Sequence, residues 1–365
     1  MHHHIFTVLD LLNKMNVLWI AILFFVLFFL FKFLGKKTTL LNINSIQYSG
    51  EQRVHEGEVP RVGGVFIYLT LTLFSFLTPI PSLSQPLQLI LLCVLPIMIV
   101  TVKEDLFHNV GFKTRLIALI ISSFLLLILV VESFPVVNHI PLISNLFNYP
   151  LFSFCFFMLC LVGLANGCNF IDGMNGLFGF YMLGCLMSCL QLTYIVNDQF
   201  MAQYILAYAI AMILFLMFNF PLGKIFMGDS GAYLMALLTG VWVIIFFSIH
   251  DYISSWNAGL ILFYPIIEVA YSFTRKLLQK KSPFYPDREH LHLKVFDILN
   301  TALNKPRLAN NLTTIFLAVI WLTPPLMLPW VCDSQLWIVI TLVILSFCYI
   351  ILNFVIPAKT AYTKD

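Results

Sequence analysis

Four polar side chains and three glycines lie between two apolar runs in segment 166–177, Asn-Gly-Cys-Asn-Phe-Ile-Asp-Gly-Met-Asn-Gly-Leu. An amide side chain both donates and accepts hydrogen bonds, as recognition of a uracil edge or of ribose hydroxyls requires. The glycines let a ligand approach the backbone closely. A simple turn between two helices needs far fewer polar residues, so we expect this segment to bind a ligand. Its polar side chains are Asn166, Asn169, Asp172 and Asn175.

Two adjacent acids, Glu104 and Asp105, follow Lys103 at the end of an apolar run. Neighbouring carboxylates at a membrane boundary repel each other and lose hydration, so a cation or a proton must satisfy them. A metal ion or a general base would explain the pair, and ion pairs with Lys103 and Lys113 would explain it equally well. Lys113 and Arg115, at the start of the next apolar run, are also candidates for binding an anionic substrate.

A third motif, Phe-Met-Gly-Asp-Ser-Gly at 226–231, runs directly into an apolar segment. At a helix N-terminus, free backbone N–H groups and the helix dipole favour an anion. Asp229 would then bind a divalent metal ion rather than meet a phosphate itself. An N-cap by Asp229 or Ser230 would explain the same residues without a function.

Two further motifs carry basic residues. Pro-Arg-Val-Gly-Gly at 60–64 offers Arg61 to a phosphate, although a loop-to-helix turn with a basic residue on the cytoplasmic side explains it as well. Segment 282–292, Ser-Pro-Phe-Tyr-Pro-Asp-Arg-Glu-His-Leu-His, contains two histidines two residues apart, which share a face only in an extended chain. Candidates in this segment for binding a diphosphate or completing a metal site are Asp287, Arg288, His290 and His292.

The composition shows that these motifs belong to a membrane protein. Of the 365 residues, 60% are hydrophobic and 10% are charged, whereas soluble domains average about 45–50% and about 25%. A soluble enzyme, a disordered chain and a nucleic-acid binder are therefore excluded, and the net charge of +3 is too small to indicate a polyanionic partner. The 8 cysteines form no CxxC pair, which is typical of packing residues rather than disulfides or metal ligands.

Apolar runs of about 20 residues, the length that crosses about 30 Å of hydrocarbon, recur along the chain. They predict an all-α polytopic membrane helix bundle, with about eleven spans in a single domain over 1–365. No linker is long enough for a second domain, and the motifs lie within about 53–310. The predicted spans are 15–34, 63–80, 87–102, 115–132, 151–165, 176–196, 201–219, 231–249, 256–274, 311–331 and 335–356.

The basic residues predict the orientation of the bundle. With the N-terminus outside and the C-terminus inside, all 20 Lys and Arg residues except Lys14 fall on the inner side, as the positive-inside rule requires. All five motifs then face the cytoplasm. The outer acids occur singly and are expected to be solvated loop charges: Asp10, Glu132, Asp198, Asp251 and Asp333.

One carboxylate, Glu268, falls inside a predicted span, where it costs about 2.5 to 3.5 kcal/mol if isolated. Arg275 follows two helical turns later. We expect Glu268 to form a structural pair with Arg275 near the inner interface rather than to relay protons.

Together the motifs place Asp105, Asp172 and Asp229 on three inner loops among several cations. Such a mixed site suits a magnesium diphosphate, because carboxylates hold the ion while cations and amides hold phosphate oxygens. Its position at the bilayer edge allows the second substrate to be a lipid. The surrounding residues are Arg61, Lys113, Arg115, Lys224, Arg288, His290 and His292.

In order and spacing, the motifs resemble those of the polyprenyl-phosphate N-acetylhexosamine-1-phosphate transferases, in the N-acetylglucosamine-type branch of glycosyltransferase family 4. The matching patterns are Pro-Arg-x-Gly-Gly, an acidic pair, Asn-x-x-Asn-x-x-Asp-Gly-x-x-Gly-Leu, Phe-Met-Gly-Asp-x-Gly and Asp-Arg-x-His-Leu-His. Five motifs in the family order argue against a chance similarity.

The resemblance implies that a UDP-N-acetylhexosamine donates sugar-1-phosphate to undecaprenyl phosphate, with N-acetylglucosamine as the favoured sugar. UMP is released and a lipid-linked cell-surface glycan, such as an O-antigen, is initiated at the inner membrane of a bacterium. The reaction of the family requires Mg²⁺, and Mn²⁺ would also fit. The resemblance implies membrane lipid but no nucleic acid as a partner and leaves a homodimer open.

Residue by residue, the resemblance assigns roles to matching positions. The expected metal ligands are Asp229 and Asn169. The expected catalytic residues are Glu104, Asp105, Asp172, His290 and His292. The expected substrate-binding residues are Arg61, Lys113, Arg115, Asn166, Asn175, Asp287 and Arg288.

The chain departs from the family pattern at two positions. Glu104 stands where the family usually has Asp, and Leu293 stands where a third motif histidine is common. Asp105 is therefore the better catalytic candidate of the acidic pair, as a general base or as a ligand that organises the metal. A covalent intermediate on an Asp is the less economical alternative, because a phosphate monoester is already a competent nucleophile.

Two alternative functions remain at this point. One is transfer of phospho-N-acetylmuramoyl-pentapeptide, which the His-Leu-His pattern disfavours. The other is transport of anionic or lipid-linked solutes, which predicts ionisable residues near the bilayer midplane on interrupted helices. The ionisable residues here lie mainly at one face.

Overall fold

The computed structural model describes residues 7–15, 18–35, 59–137, 144–282 and 288–357, and within them it is a bundle of helices without named strands. A short 3₁₀ helix occupies Ser144–Asn148. The α-helices are α1 (Val8–Lys14), α2 (Leu18–Gly35), α3 (Gly63–Leu77), α4 (Pro81–Phe107), α5 (Phe112–Leu129), α6 (Pro150–Ile171), α7 (Leu177–Val196), α8 (Gln199–Asn219), α9 (Gly228–Ile249), α10 (Trp256–Ile261), α11 (Phe263–Leu278), α12 (Leu291–Leu303), α13 (Pro306–Phe316), α14 (Ala318–Val331) and α15 (Gln335–Val355).

The predicted all-α polytopic membrane bundle is confirmed. Among the described helices, 8 are long and apolar enough to cross a membrane, counting α13 and α14 as one. Helix is the expected form of these apolar runs because a lipid-exposed backbone must satisfy its hydrogen bonds internally. The 8 cysteines are free; five are buried, and Cys155, Cys160 and Cys348 are exposed.

Several predicted span boundaries are wrong. The span predicted at 87–102 runs from Pro81 to Phe107. The span predicted at 151–165 continues to Ile171, because Asn166 and Asn169 recur at the spacing of a helical turn and extend α6 instead of opening a loop. The span predicted at 256–274 is divided at Leu262 into α10 and α11, and the one predicted at 311–331 begins at Pro306 and is divided at Leu317.

Helix α9 is the central element of the bundle. Of its most apolar stretch, 83% is buried, the largest share among the candidate spans, and it packs against α3, α4 and α6. Close packing with α3 depends on a pair of glycines, because a Cβ on Gly64 would lie 2.1 Å from the backbone nitrogen of Gly231. The N-terminus of α9 therefore lies among the ends of several helices.

The turn before α9 is held by a short backbone ladder with the chain that leads into α3. The N–H groups of Gly63 and Gly64 donate to the carbonyls of Phe226 and Met227 at 2.9 and 3.0 Å, and the N–H of Phe226 donates to the carbonyl of Pro60 at 2.9 Å. The ladder brings the Pro-Arg-Val-Gly-Gly and Phe-Met-Gly-Asp-Ser-Gly motifs side by side.

Helix α13 holds the loop between α6 and α7. The Asn310 carbonyl oxygen accepts the backbone N–H of Asn175 at 2.8 Å, and the Thr314 hydroxyl donates to the Asn175 carbonyl at 2.7 Å. The Asn175 side chain donates to Asn311 at 3.1 Å. Contacts from α13, which lies outside segment 166–177, therefore hold the loop that carries Asp172.

Candidate active site

Two carboxylates from different helices converge on the N-terminus of α9. The oxygens of Asp105, at the end of α4, accept the backbone N–H groups of Asp229 and Ser230, each at 2.9 Å. The carboxylate of Asp172, which follows α6, accepts the N–H of Gly228. Gly228 has a φ of +75°, and a Cβ there would lie 2.6 Å from Oδ2 of Asp105. Glycine is needed at 228 both for the backbone conformation and for the approach of Asp105.

These contacts correct the expectation that the N-terminus of α9 offers free amides to an anion. The N–H groups of Gly228, Asp229 and Ser230 already donate to carboxylates of the protein. The local N-cap reading is also wrong, since the N-cap residue is Met227 and no side chain of its own segment caps the helix. The caps come from α4 and from the end of α6, where a negative charge also matches the helix dipole.

The side chain of Asp229 points into a polar network with α5 and α6. Its Oδ2 forms a short ion pair with Nη1 of Arg115, and both side chains are largely buried, at 14% and 23% exposed. One turn further along α9, the Tyr233 hydroxyl donates to Oδ1 of Asn166 at 3.1 Å. The buried Nε of Arg115 has no hydrogen-bond partner among the described residues, so the guanidinium retains an unused donor beside Asp229.

The acids form one electrostatic cluster. Burial raises the pKa of Asp172 well above its usual value. Arg61 opposes this shift, whereas the negative charges of Asp229 and Asp105 raise the pKa of Asp172 further. The carboxylates are thus close enough to repel one another, and a bound cation would relieve the repulsion.

The chemistry of this donor set fits a magnesium ion. Among the described residues, no group of three or more His, Cys, Asp or Glu side chains is placed to hold a metal by itself. Mg²⁺ needs no such cage, since one or two carboxylates usually suffice with phosphate oxygens and waters. The available donors in the cluster are the oxygens of Asp229 and Asp172. Asn169 lies about one helical turn before Asp172, at the end of α6.

The two motif histidines lie side by side at the start of α12. Their ring centroids are 5.8 Å apart and their planes differ by 13°. The extended loop expected for the pair is wrong at His292, which lies in the first turn of α12. His292 packs against the loop after α6, because a Cβ on Gly173 would lie 2.4 Å from its Nε2. The histidine pair therefore borders the Asp172 corner of the acidic cluster.

The partner predicted for Glu268 is wrong. Its Oε1 pairs with Nδ1 of His290 at 2.8 Å, and its Oε2 accepts the hydroxyl of Tyr349 at 2.5 Å. Arg275 instead forms an ion pair with Glu289 at 2.9 Å. Helical spacing predicted Arg275 as the partner because both residues lie on α11. The packing of other elements instead brings His290 and Tyr349 to Glu268.

His292 is surrounded by protein. Its pKa is lowered to about 4, mainly by burial and also by the neighbouring His290, while Glu268 opposes the shift. His292 is therefore neutral at physiological pH and can accept as well as donate a hydrogen bond.

The remaining predicted residues lie around the cluster in different settings. Glu104 accepts the N–H of Val110 at 2.7 Å, so it holds the loop before α5. Arg61 and Lys113 are exposed, and Arg288 pairs with Asp297 at 3.0 Å.

The structure does not bring Asn175 to the acidic cluster. Asn175 is buried against α13, as described above, which favours a structural role over substrate binding. Asp287 lies outside the described residues.

Sequence reasoning missed several residues that shape the site. Tyr233 and Tyr349 lie in apolar runs, where a tyrosine gives no local signal of its hydrogen-bond partner. Glu268 offered a signal, because an acid within an apolar span needs a partner, but the sequence did not identify that partner.

Comparison with known proteins adds an independent observation. Residues 87–247 match the model of a family described as Glycosyl transferase family 4. The chain is 30% identical to a Thermotoga maritima protein named undecaprenyl-phosphate alpha-N-acetylglucosaminyl 1-phosphate transferase, over 75% of this chain and 79% of that relative. It is 25% identical to a protein of the same name from Salmonella typhi, over 72% of each chain. It is 24% identical to a Bacillus subtilis protein named probable undecaprenyl-phosphate N-acetylglucosaminyl 1-phosphate transferase, over 70% of this chain and 71% of that relative.

Proposed function

We propose, from the premise that the chain belongs to glycosyl transferase family 4, that it transfers N-acetylglucosamine-1-phosphate from UDP-N-acetylglucosamine to undecaprenyl phosphate and releases UMP. The names of its relatives state the lipid and the sugar. The observation that carries the proposal is the convergence of Asp105 and Asp172 on the start of α9, beside the Asp229–Arg115 pair.

The reaction requires positive charge at this cluster. An acceptor phosphate must approach a donor diphosphate, and like charges about 4 Å apart repel by roughly 4 kcal/mol per pair at an effective dielectric of 20. Arg115 lies beside Asp229, and Arg61 is close enough to influence Asp172. These guanidinium groups can bind phosphate oxygens, Arg115 through the donor that it does not use within the protein.

A magnesium ion is part of the proposal. When bound, it supplies a Lewis acid and a template for the phosphates. Asp229 and Asn169 would hold it, and Mn²⁺ has similar ligand preferences. Asp105 acts as an organiser in this scheme, because both of its oxygens accept amides that fix the start of α9 and hence the position of Asp229.

The inner side of the cytoplasmic membrane is the proposed location of the site. The topology predicted from the sequence supports this location, because it assigns all 20 Lys and Arg residues except Lys14 to the same side as the motifs, as the positive-inside rule expects for cytoplasmic loops. Undecaprenyl phosphate would reach the cluster from the bilayer, and the sugar nucleotide would enter from the cytoplasm.

The test is UMP release by purified protein supplied with undecaprenyl phosphate, UDP-N-acetylglucosamine and Mg²⁺. We expect release to require all three. UDP-N-acetylmuramoyl-pentapeptide, offered as the alternative donor, should give little product, and a panel of UDP-N-acetylhexosamines defines the sugar. Release from the pentapeptide donor alone, or no release from any donor, would contradict the proposal.

A further inference from the structure

Glu268 and Tyr349 form a buried pair behind one of the motif histidines. Glu268 is 1% exposed, Tyr349 is 1% exposed and His290 is 5% exposed. The carboxylate contacts both partners, at 2.8 Å to Nδ1 of His290 and 2.5 Å to the Tyr349 hydroxyl. A carboxylate in this apolar setting is therefore satisfied on both oxygens by the same small cluster.

The contact determines which nitrogen of His290 carries a proton. A carboxylate oxygen can only accept, so the hydrogen bond places a proton on Nδ1 of His290. Nε2 is then the nitrogen left for other contacts. The rings of His292 and Phe170 flank His290, with centroids at 5.8 and 5.4 Å, and restrict its rotation.

Helix α15 contributes to this arrangement although it lies beyond the sequence motifs. Only 22% of its most apolar stretch is buried, but Tyr349 and Asn353 turn inward. Tyr349 contacts Glu268, and the carbonyl of Asn353 accepts Nζ of Lys294 on α12 at 2.8 Å. Helix α15 thus contacts both Glu268, the partner of His290, and α12, the helix that follows His290.

We propose that Glu268, supported by Tyr349, is a positioning residue that fixes the tautomer and the ring orientation of His290 for the donor diphosphate. The inference rests on the proposed function, since it takes the histidine pair to meet that diphosphate. Glu268 and Tyr349 act only through His290 and do not touch the substrate.

A double-mutant cycle on the purified full-length protein tests this role. UMP release is measured against UDP-N-acetylglucosamine for the wild type, E268Q, H290Q and E268Q/H290Q. We expect E268Q to lower kcat by about 10- to 100-fold, as loss of a partner that orients a functional histidine commonly does. In the H290Q background the same change should cost less than about 2-fold, because no histidine remains to be positioned. An equal cost in both backgrounds, or wild-type rates for E268Q, would overturn the inference.

Tyr349→Phe is a second, milder variant for the case in which E268Q leaves a buried polar group without a partner and the protein misfolds. It removes one hydroxyl, and we expect a smaller loss of kcat that also disappears in the H290Q background. A matched control lies elsewhere in the bundle, where Asp198 pairs with His250 at 2.9 Å and Tyr252 contacts the same histidine at 3.3 Å. Asp198→Asn and Tyr252→Phe should leave UMP release unchanged. A loss there as large as that of E268Q would show a general effect on the fold and refute the specific role.

A spectroscopic measurement separates this inference from the proposed function. Nitrogen-15 spectra of histidine-labelled protein report the tautomer of His290, assigned by the signal that H290Q removes. A proton on Nδ1 in the wild type supports the inference, and a neutral ring protonated only on Nε2 overturns it. If the wild type released no UMP from any sugar nucleotide, the proposed function would fail, and the spectra would still decide how His290 is held.

Discussion

Replacement of Asp105 by Asn tests the central feature of the site. The carboxylate accepts two backbone N–H groups, and an Asn of the same shape can accept only one of them. The loss of one hydrogen bond to a charged group costs about 1.5 to 3 kcal/mol, and a buried N–H left facing the Asn amide costs about 1 to 3 kcal/mol more. If the resulting shift at the start of α9 is fully expressed in the transition state, the sum lowers the rate by about 10²- to 10⁴-fold.

The assay for this prediction is UMP release by purified protein at saturating undecaprenyl phosphate and Mg²⁺. The matched control is Glu104→Gln, because Glu104 is the neighbouring acid and accepts a single amide, which Gln can still accept. We expect Glu104→Gln to remain within about tenfold of the wild type, since one charge-assisted bond becomes a neutral one. Rates for Asp105→Asn within a fewfold of the wild type, with normal folding, would refute the proposed organisation of α9.

The remaining predictions concern the metal, the packing and the pH dependence. Asp229→Asn should abolish turnover while the protein still folds and inserts. EDTA should stop UMP release by the wild type until Mg²⁺ is restored. Activity that persists in either experiment would refute the metal proposal. Gly64→Ala should lower the free energy of unfolding by about 1 to 3 kcal/mol, because its Cβ would lie 2.1 Å from the nitrogen of Gly231. Gly111→Ala, which meets nothing within 4 Å, is the control for thermal unfolding, and equal melting temperatures would contradict the packing argument. The pKa of His292 is about 4 in the folded protein and 6.5 in the unfolded chain. Between these values the unfolded chain binds more protons than the folded protein. The free energy of unfolding should therefore rise with pH across that window, by up to about 3 kcal/mol. His292→Gln should flatten this rise in melting temperature, and an unchanged slope would show that His292 does not cause it.

The membrane bundle could be predicted from the sequence because lipid leaves the backbone few alternatives. Long apolar runs must become helices that satisfy their own hydrogen bonds, and polar motifs must then fall at their ends. Asp105, Asp172 and Asp229 were recognisable for the same reason, since acids at the ends of apolar helices require a function or a partner. The structure brings these three residues together around the start of α9.

The sequence was less informative wherever a residue had a choice of partners. Asn169 matched a ligand motif, but its position on the last turn of α6 became clear only when the helix proved to extend to Ile171. Asn175 belonged to the same motif and yet packs against α13, which lies more than a hundred residues later in the chain. The spacing between residues along a chain does not specify such distant contacts.

The sequence by itself determined that this protein is a membrane bundle with acidic and basic motifs at helix ends, because the cost of burying polar groups in lipid acts on every segment separately. Only the tertiary structure decided that Asp105 caps α9 and that Glu268 binds His290 instead of Arg275. The physical reason is that a buried polar group must find a partner, whereas the identity of that partner depends on which helices pack together.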